Sequence, residues 1–328
     1  MKNPSSQKLP RKTARKAAAG VAYPLHARIK KIDSACNALK HVDKTEALHD
    51  FRVNVRRLRT LLRAFSDAVP VPRRLMRELR KLAQSTNDTR DLQVAAQILI
   101  KIKSPLRTRA PDANRLRCRL YKKTAAEQAS ELAHRLPKDW TQLRFDLMKR
   151  LPEPGGSVVD VAYRHATHQQ LATRFTALER QLRTLQTVEQ LDHLHGARIL
   201  TKELRYLIEP FSTTDAELVP VIYSLSQLQD ALGTIHDYML LRARVKTEAQ
   251  QRQELLLLKC FDARHAKIEL SIGQMSDDIA LYHRLFSLAK RQFGTLGKLA
   301  LGNNAAPLLA NLREPCDVLR GPAQLHLS

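Results

Sequence analysis

From Ala17 onward, apolar residues return every three or four positions, and the apolar–polar alternation of a half-buried strand is hard to find. That period predicts an all-α chain. Helices are expected over about 17–40, 44–67, 73–87, 89–103, 112–136, 139–150, 158–187, 189–211, 215–232, 234–248, 251–275 and 277–292. Pro70, Pro72, Pro105, Pro111, Pro137, Pro210 and Pro220 punctuate this map, because a proline lacks the amide hydrogen that a helix interior needs. The sharpest interruption is Leu151-Pro152-Glu153-Pro154-Gly155-Gly156-Ser157, where two prolines and two glycines cannot continue a helix. Residues 1–16 are rich in Lys and Arg without a single acid, too polar to bury a core. The expected organisation is a disordered basic arm over 1–16, a first bundle over 17–151, a linker over 152–157, a second bundle over 158–312 and an irregular tail over 313–328.

The pattern also repeats. Leu48-His49-Asp50-Phe51-Arg52 through Phe65 aligns with Leu194-His195-Gly196-Ala197-Arg198 through Phe211 at a constant offset of 146 residues. Polar positions recur along with apolar ones: His49 with His195, Arg52 with Arg198, Arg56 with Lys202 and Arg59 with Arg205. The same offset continues without a gap to Leu82 with Leu228 and Asp91 with Asp237. Two pseudo-symmetric antiparallel helical bundles related by internal duplication are the economical expectation. At about 100° per residue, positions i, i+3, i+7 and i+10 stay within roughly 80° of arc. His49, Arg52, Arg56 and Arg59 therefore form one stripe, which Arg63 extends, beside a core face of Phe51, Val55, Leu58, Leu61, Leu62 and Phe65. In the second repeat, His195, Arg198, Lys202 and Arg205 take the stripe, with Ile199, Leu204, Leu207, Ile208 and Phe211 expected in the core.

Charge gives the stripes a meaning. The chain has 56 Lys and Arg against 32 Asp and Glu, a formal charge of +24, far beyond what solubility needs. A solvated helix face mixes signs, yet Arg52, Arg56, Arg57, Arg59 and Arg63 follow one another with no acid between Asp50 and Asp67. An anionic partner is implied. Guanidinium groups offer paired donors to phosphate oxygens, a lysine adds a point charge and a histidine adds a ring N–H. Aromatic residues make up only 5% of the chain, too few for a row of base-stacking platforms. Cys36, Cys118, Cys260 and Cys316 are dispersed and show no zinc-ligand spacing, which suits buried thiols in a reducing compartment. No apolar leader and no run of eighteen apolar residues is present, so a cytoplasmic location is expected, with no metal and no cofactor.

Taken together, H-x-x-R-x-x-x-[RK]-x-x-R occurring twice, each time followed by a recurrent aspartate, resembles the CHAD family. The run Leu225-Ser226-Gln227-Leu228-Gln229-Asp230-Ala231-Leu232-Gly233-Thr234-Ile235-His236-Asp237 is similar to that family's second motif, and the resemblance covers roughly residues 17–312. It implies two helical bundles whose basic faces form a central groove or pore for inorganic polyphosphate, and association with polyphosphate granules. The expected ligands of polyphosphate are His49, Arg52, Arg56, Arg59, Arg63, His195, Arg198, Lys202 and Arg205. Arg57, Arg74, Lys81, Arg115, Arg119, Lys122 and Lys123 are further basic candidates. Two departures stand out: Glu203 replaces the arginine expected from Arg57, and Thr86-Asn87 stands where the second repeat has Leu232-Gly233. The resemblance implies a weaker second stripe and a different turn before Asp91.

A non-enzymatic binder is the expected function, and two alternatives remain open. Phosphate-driven binding is largely independent of sequence, so the same face and arm could hold nucleic acid. A metal-dependent phosphohydrolase would need ligands: His49-Asp50 resembles a metal dyad, but Gly196 replaces the aspartate in the second repeat. His193 and His195 are two residues apart and point away from each other on a helix, and His165 with His168 lacks an identified carboxylate or thiol companion. Asp91 and Asp237 could be general bases, but an aspartate there more often caps a helix or orients an arginine.

Overall fold

The computed structural model of the chain describes residues 11–40, 44–101, 110–154, 161–184 and 190–252. Every regular element among them is a helix. In chain order these are α1 (Arg11–Ala38), α2 (Lys44–Ala64), α3 (Arg73–Ser85), α4 (Asn87–Lys101), α5 (Ala110–Met148), α6 (Val161–Thr184), α7 (Leu191–Ile208), a 3-10 turn (Glu209–Phe211) and α8 (Leu218–Arg252). The expected helices over 251–275 and 277–292, and the tail over 313–328, lie outside the described residues apart from Gln251 and Arg252, which end α8.

The amphipathic periods bury as the sequence pattern predicts. On α2, Phe51, Val55, Leu58, Leu61 and Leu62 are buried, followed by Phe65 just beyond the helix. Burial of each such side chain contributes about 1.5–3 kcal/mol. Helix α1 packs on α2, α4 on α5, and α6 on α7, while α1 against α6, α2 against α7 and α4 against α8 join the two segments of the chain. The buried residues form one hydrophobic cluster running through all these helices. Tyr163 links the repeated phenylalanines within it, its ring centroid 5.3 Å from Phe65 and 5.0 Å from Phe211.

Four expectations are corrected. Residues 11–16 belong to α1 rather than to an irregular arm, because Arg11, Lys12, Ala14, Arg15 and Lys16 are good helix formers that run straight into the buried Ala17 and Val21; residues 1–10 lie outside the described residues. Helix α5 does not break at Pro137. The buried face continues through Leu136 and Trp140, and the Trp140 indole donates to Asp33 at 2.7 Å, offsetting the hydrogen bond a proline removes. Helix α8 likewise runs straight through Gly233, since Leu232 and Ile235 on either side are buried and hold the helix to the core. Ile199 is 41% exposed rather than in the core, because Ala197 and Thr201 occupy the inward positions of α7 that correspond to Phe51 and Val55. Between α3 and α4, by contrast, Thr86 interrupts the helix, its hydroxyl donating to the Ala83 carbonyl at 2.9 Å. Thus the segment before Asp91 does differ from the one before Asp237, one being a break and the other a continuous helix.

Candidate functional site

Because α2 buries its phenylalanine–leucine face, the adjoining stripe of His49, Arg52, Arg56 and Arg59 is carried to the edge of the core. Helix α7 carries Arg198, Lys202 and Arg205 in the same way, and α7 packs on α2. The two stripes therefore meet. Across the α2–α7 contact the charge of Arg198 acts on Arg52 and Arg56, and those of Arg52 and Arg56 act on Lys202. Among the described residues, Arg52, Arg56, Arg59 and Lys202 make no ion pair, whereas arginines around them do. Arg56 donates to the Asn87 side chain at 2.9 Å, a neutral partner that leaves its charge in place.

Like charges held this close raise the free energy of the site unless an anion offsets them. Burial, then repulsion from Arg56 and Arg90, brings the Arg52 guanidinium down to about 9, which still leaves it protonated at neutral pH. Burial and the charges of Arg198, Arg56 and Arg52 bring the Lys202 ammonium down to about 7. Arg56 and Arg59 are lowered mainly by burial. The Nε–H groups of Arg52 and Arg198 are buried and donate to no partner among the described residues. Unmatched buried donors beside an excess of positive charge are what an anion with several oxygens satisfies.

Toward the C-terminal turns of α2 and α7 the charge is balanced from within. Glu209, in the 3-10 turn, receives Arg57 at 2.8 Å, Arg205 at 3.3 Å and Arg28 at 3.7 Å. Glu203 receives Arg174 at 2.9 Å and Arg63 at 3.5 Å. The guanidiniums of Arg57 and Arg205 both lie against the Tyr206 ring, 5.2 and 5.4 Å from its centroid. Arg205 also donates to Ser226 at 3.1 Å. Arg57 and Arg205 thus hold helices together, and Arg63 is a partly neutralised, 54% exposed extension.

Toward the N-terminal turns lie the recurrent aspartates. Asp237 pairs with Arg198 at 3.4 Å, and Asp91 faces Arg52 in the equivalent place. Burial, together with Asp237, pushes the Asp91 carboxyl up. Both aspartates line a cavity of about 140 Å³ between α4 and α8, shared with Leu240, Leu241 and Arg244. The imidazoles of His195 and His236 lie 5.3 Å apart. Burial and neighbouring cations hold His49 and His195 below the ordinary histidine value and bring His236 down to about 4. Among the described residues, no group of three or more His, Cys, Asp or Glu side chains is placed to hold a metal ion.

Two findings place this geometry in a family. Residues 25–246, more than half of the chain, match the CHAD domain. The chain belongs to the CHAD domain family. The crystal structure of the CHAD domain from the plant Ricinus communis has a similar fold, with a TM-score of 0.64 at 22% identity over 79% of this chain and 90% of that one. No curated protein matches the sequence. CHAD domains are linked to polyphosphate binding in general. No described helix of this CHAD chain is long and apolar enough to cross a membrane.

The structure brings Arg52, Arg56, Arg198 and Lys202 together, with Arg59 adjoining and with His49 and His195 at the exposed N-terminal turns of the same helices. The further basic candidates stand apart on other helices. Arg74 and Lys81 on α3, and Arg115, Arg119, Lys122 and Lys123 on α5, are exposed; Lys81 pairs with Glu78 and Lys123 with Glu127. Sequence reasoning did not single out Asn87, Arg90, Tyr206, Glu209 or His236 as parts of the site. For Arg90 and His236 a signal existed: the 146-residue offset makes them equivalents, and they flank the equivalent pair Asp91 and Asp237.

Proposed function

We propose that this CHAD protein binds inorganic polyphosphate without transforming it, in a basic groove between two duplicated bundles, and that it does so at polyphosphate granules in the cytoplasm. One observation carries the reading: Arg52, Arg56, Arg198 and Lys202 converge across the α2–α7 contact without an internal carboxylate to neutralise all four. A chain of phosphates matches that need, because each unit presents charged oxygens at a regular interval to a rigid row of donors. His49 and His195, neutral when the groove is empty, add ring donors. Asp91 and Asp237 orient arginines, which the Arg198–Asp237 pair supports. Duplication is supported by the way the halves meet. Positions 57 and 63 are arginines in one repeat and glutamates, 203 and 209, in the other, and they pair crosswise, Arg57 with Glu209 and Arg63 with Glu203. Crosswise pairing is the mark of two equivalent units about a two-fold axis.

The test loads the full chain with labelled polyphosphate and adds duplex DNA or RNA at equal phosphate concentration. Retention of the label is expected; efficient displacement would turn the reading to nucleic acid. Release of orthophosphate that requires a divalent metal and is lost on Asp91→Asn or Asp237→Asn would turn it to hydrolysis. Replacing Arg56 and Arg59 by alanine is expected to weaken polyphosphate binding and, by analogy with DNA, to flatten its log–log salt dependence by about 0.7–0.9 for each lost contact.

A further inference from the structure

We propose that Arg73, Arg77 and Arg80 on α3 form a second polyphosphate track, which holds the part of a long chain that emerges from the groove past Arg59. The inference rests on the polyphosphate reading above and adds to it a preference for long chains. It begins with helical geometry. At about 100° per residue, Arg73, Arg77, Arg80 and Gln84 fall within roughly 60° of arc on α3, turned away from the buried Leu75, Leu79, Leu82 and Ala83. All four row residues are exposed. Arg74 and Lys81 lie about a quarter-turn aside. The one acid of the helix, Glu78, lies beyond them and is taken by Lys81 at 3.1 Å. Among the described residues, Arg73, Arg77 and Arg80 make no ion pair.

The fold sets this row beside the groove. Helix α3 packs on α2 and follows it after the short connection 65–72, so the two run antiparallel. Arg56 donates to Asn87, which opens α4 just after α3 ends, at 2.9 Å, and this contact fixes the register. Passing along α2 from Arg56 to Arg59 and Arg63 therefore means passing back along α3 toward Arg80, Arg77 and Arg73. Arg80 is close enough to Arg59 for its charge to act there. Exposure rises on the way: Arg56 and Arg59 are half-buried, Arg63 is exposed, and the α3 row stands in solvent. Like charges three and four residues apart destabilise a helix, and arginines in its first turn oppose the helix dipole. Both costs fall on α3, whose first turn holds Arg73 and Arg74 and no acid. A polyanion lying along the row offsets them. Because the row leads into a half-buried stripe, the occupant that fits both is a thread without side groups rather than a duplex. From Arg73 to Arg80 α3 rises about 10 Å, as α2 does from Arg52 to Arg59, so a chain on both tracks is about twice as long as one confined to the groove.

Calorimetry on the full chain compares tripolyphosphate, too short to span both tracks, with long-chain polyphosphate. Arg73→Ala/Arg77→Ala/Arg80→Ala keeps good helix formers on an exposed face and is expected to fold as the parent does. It should lower long-chain affinity on the order of tenfold and reduce the log–log salt slope by roughly 2, about 0.7 for each lost contact, while tripolyphosphate affinity stays within about twofold. A charge-matched variant, Lys30→Ala/Lys40→Ala/Arg180→Ala, removes exposed cations from α1, the turn after it and α6, and is expected to keep long-chain affinity within about twofold. Equal loss of long-chain affinity in the two variants overturns the proposal, since net charge alone would then explain it. So does an equal loss for tripolyphosphate, which would make α3 a support of the groove. If the parent binds both ligands and the α3 variant matches it, only the track fails; if the parent binds neither, the function proposed above fails and the track with it.

Discussion

At the scale of single residues, burial and neighbouring cations disfavour the charged forms of Arg52, Lys202, His49 and His195, a cost that a bound polyanion would relieve. Burial and the neighbouring arginines bring Lys202 down to about 7, and a phosphate chain bound there would favour its ammonium, so the complex would titrate at higher pH. Between those two values binding takes up a proton. Affinity for polyphosphate therefore falls as pH rises from about 7 toward 9, by up to about tenfold per pH unit for one linked proton. Calorimetry in two buffers of different ionisation enthalpy reads the proton uptake directly. Lys202→Arg stays charged across that range, and its affinity is expected to be flat where the parent's declines. His49 and His195 act in the same direction at lower pH, because burial and nearby cations depress both and an anion reverses the shift. A parent protein whose affinity is equal at pH 7 and 9, with no buffer-dependent heat, would show that Lys202 does not meet the ligand.

At the scale of helices, the 3-10 turn after α7 serves as a clamp. Glu209 ties α1 through Arg28, α2 through Arg57 and α7 through Arg205, with side-chain exposures of 13%, 19% and 15% for the three arginines. Removing a carboxylate from such a cluster leaves buried charges without a partner, a loss on the order of 3 kcal/mol. Glu209→Ala is thus expected to lower the urea midpoint substantially while polyphosphate affinity per folded molecule is kept or increased. An unchanged midpoint would refute the clamp. This clamp shows where sequence reading stopped. The helical period located α2, α3, α4 and α7 to within a few residues, because their buried faces follow the 3.6-residue repeat and their ends coincide with prolines or the Thr86 break. It failed at Pro137 and Gly233, where local propensity says stop and long-range packing, by Trp140 on Asp33 and by Leu232 in the core, says continue. The cationic stripe was legible because three basic positions and a histidine recur at one offset. The departure at Glu203 was legible too, but its meaning was not: read along one helix it weakens a stripe, and only the pairing with Arg63 and Arg174 shows it joining helices.

At the scale of the whole molecule, a net charge of +24 sets stability and binding against each other. Without a polyanion, the converging cations repel, and raising ionic strength screens that repulsion; at about 0.15 M salt the screening length is already about 8 Å. Salt should therefore stabilise the empty protein. Binding responds in the opposite sense, because condensed counterions released from the polyanion lose their entropic advantage as salt rises. The pH dependence of the empty protein follows from Lys202 by the same logic. Its folded value near 7 lies below the unfolded value near 10.5, so between them the unfolded chain holds the extra proton and stability contributed by this group increases with pH. Thermal melts from pH 7 to 9 should then rise for the empty protein relative to Lys202→Arg. Saturating polyphosphate should erase that rise, because the bound anion returns the lysine toward its unfolded value. Scanning calorimetry at low and high salt, with and without polyphosphate, reads all of these signs on one sample. An empty protein that loses stability as salt increases would mean that internal ion pairs such as those of Glu203 and Glu209 outweigh the repulsion at the α2–α7 contact.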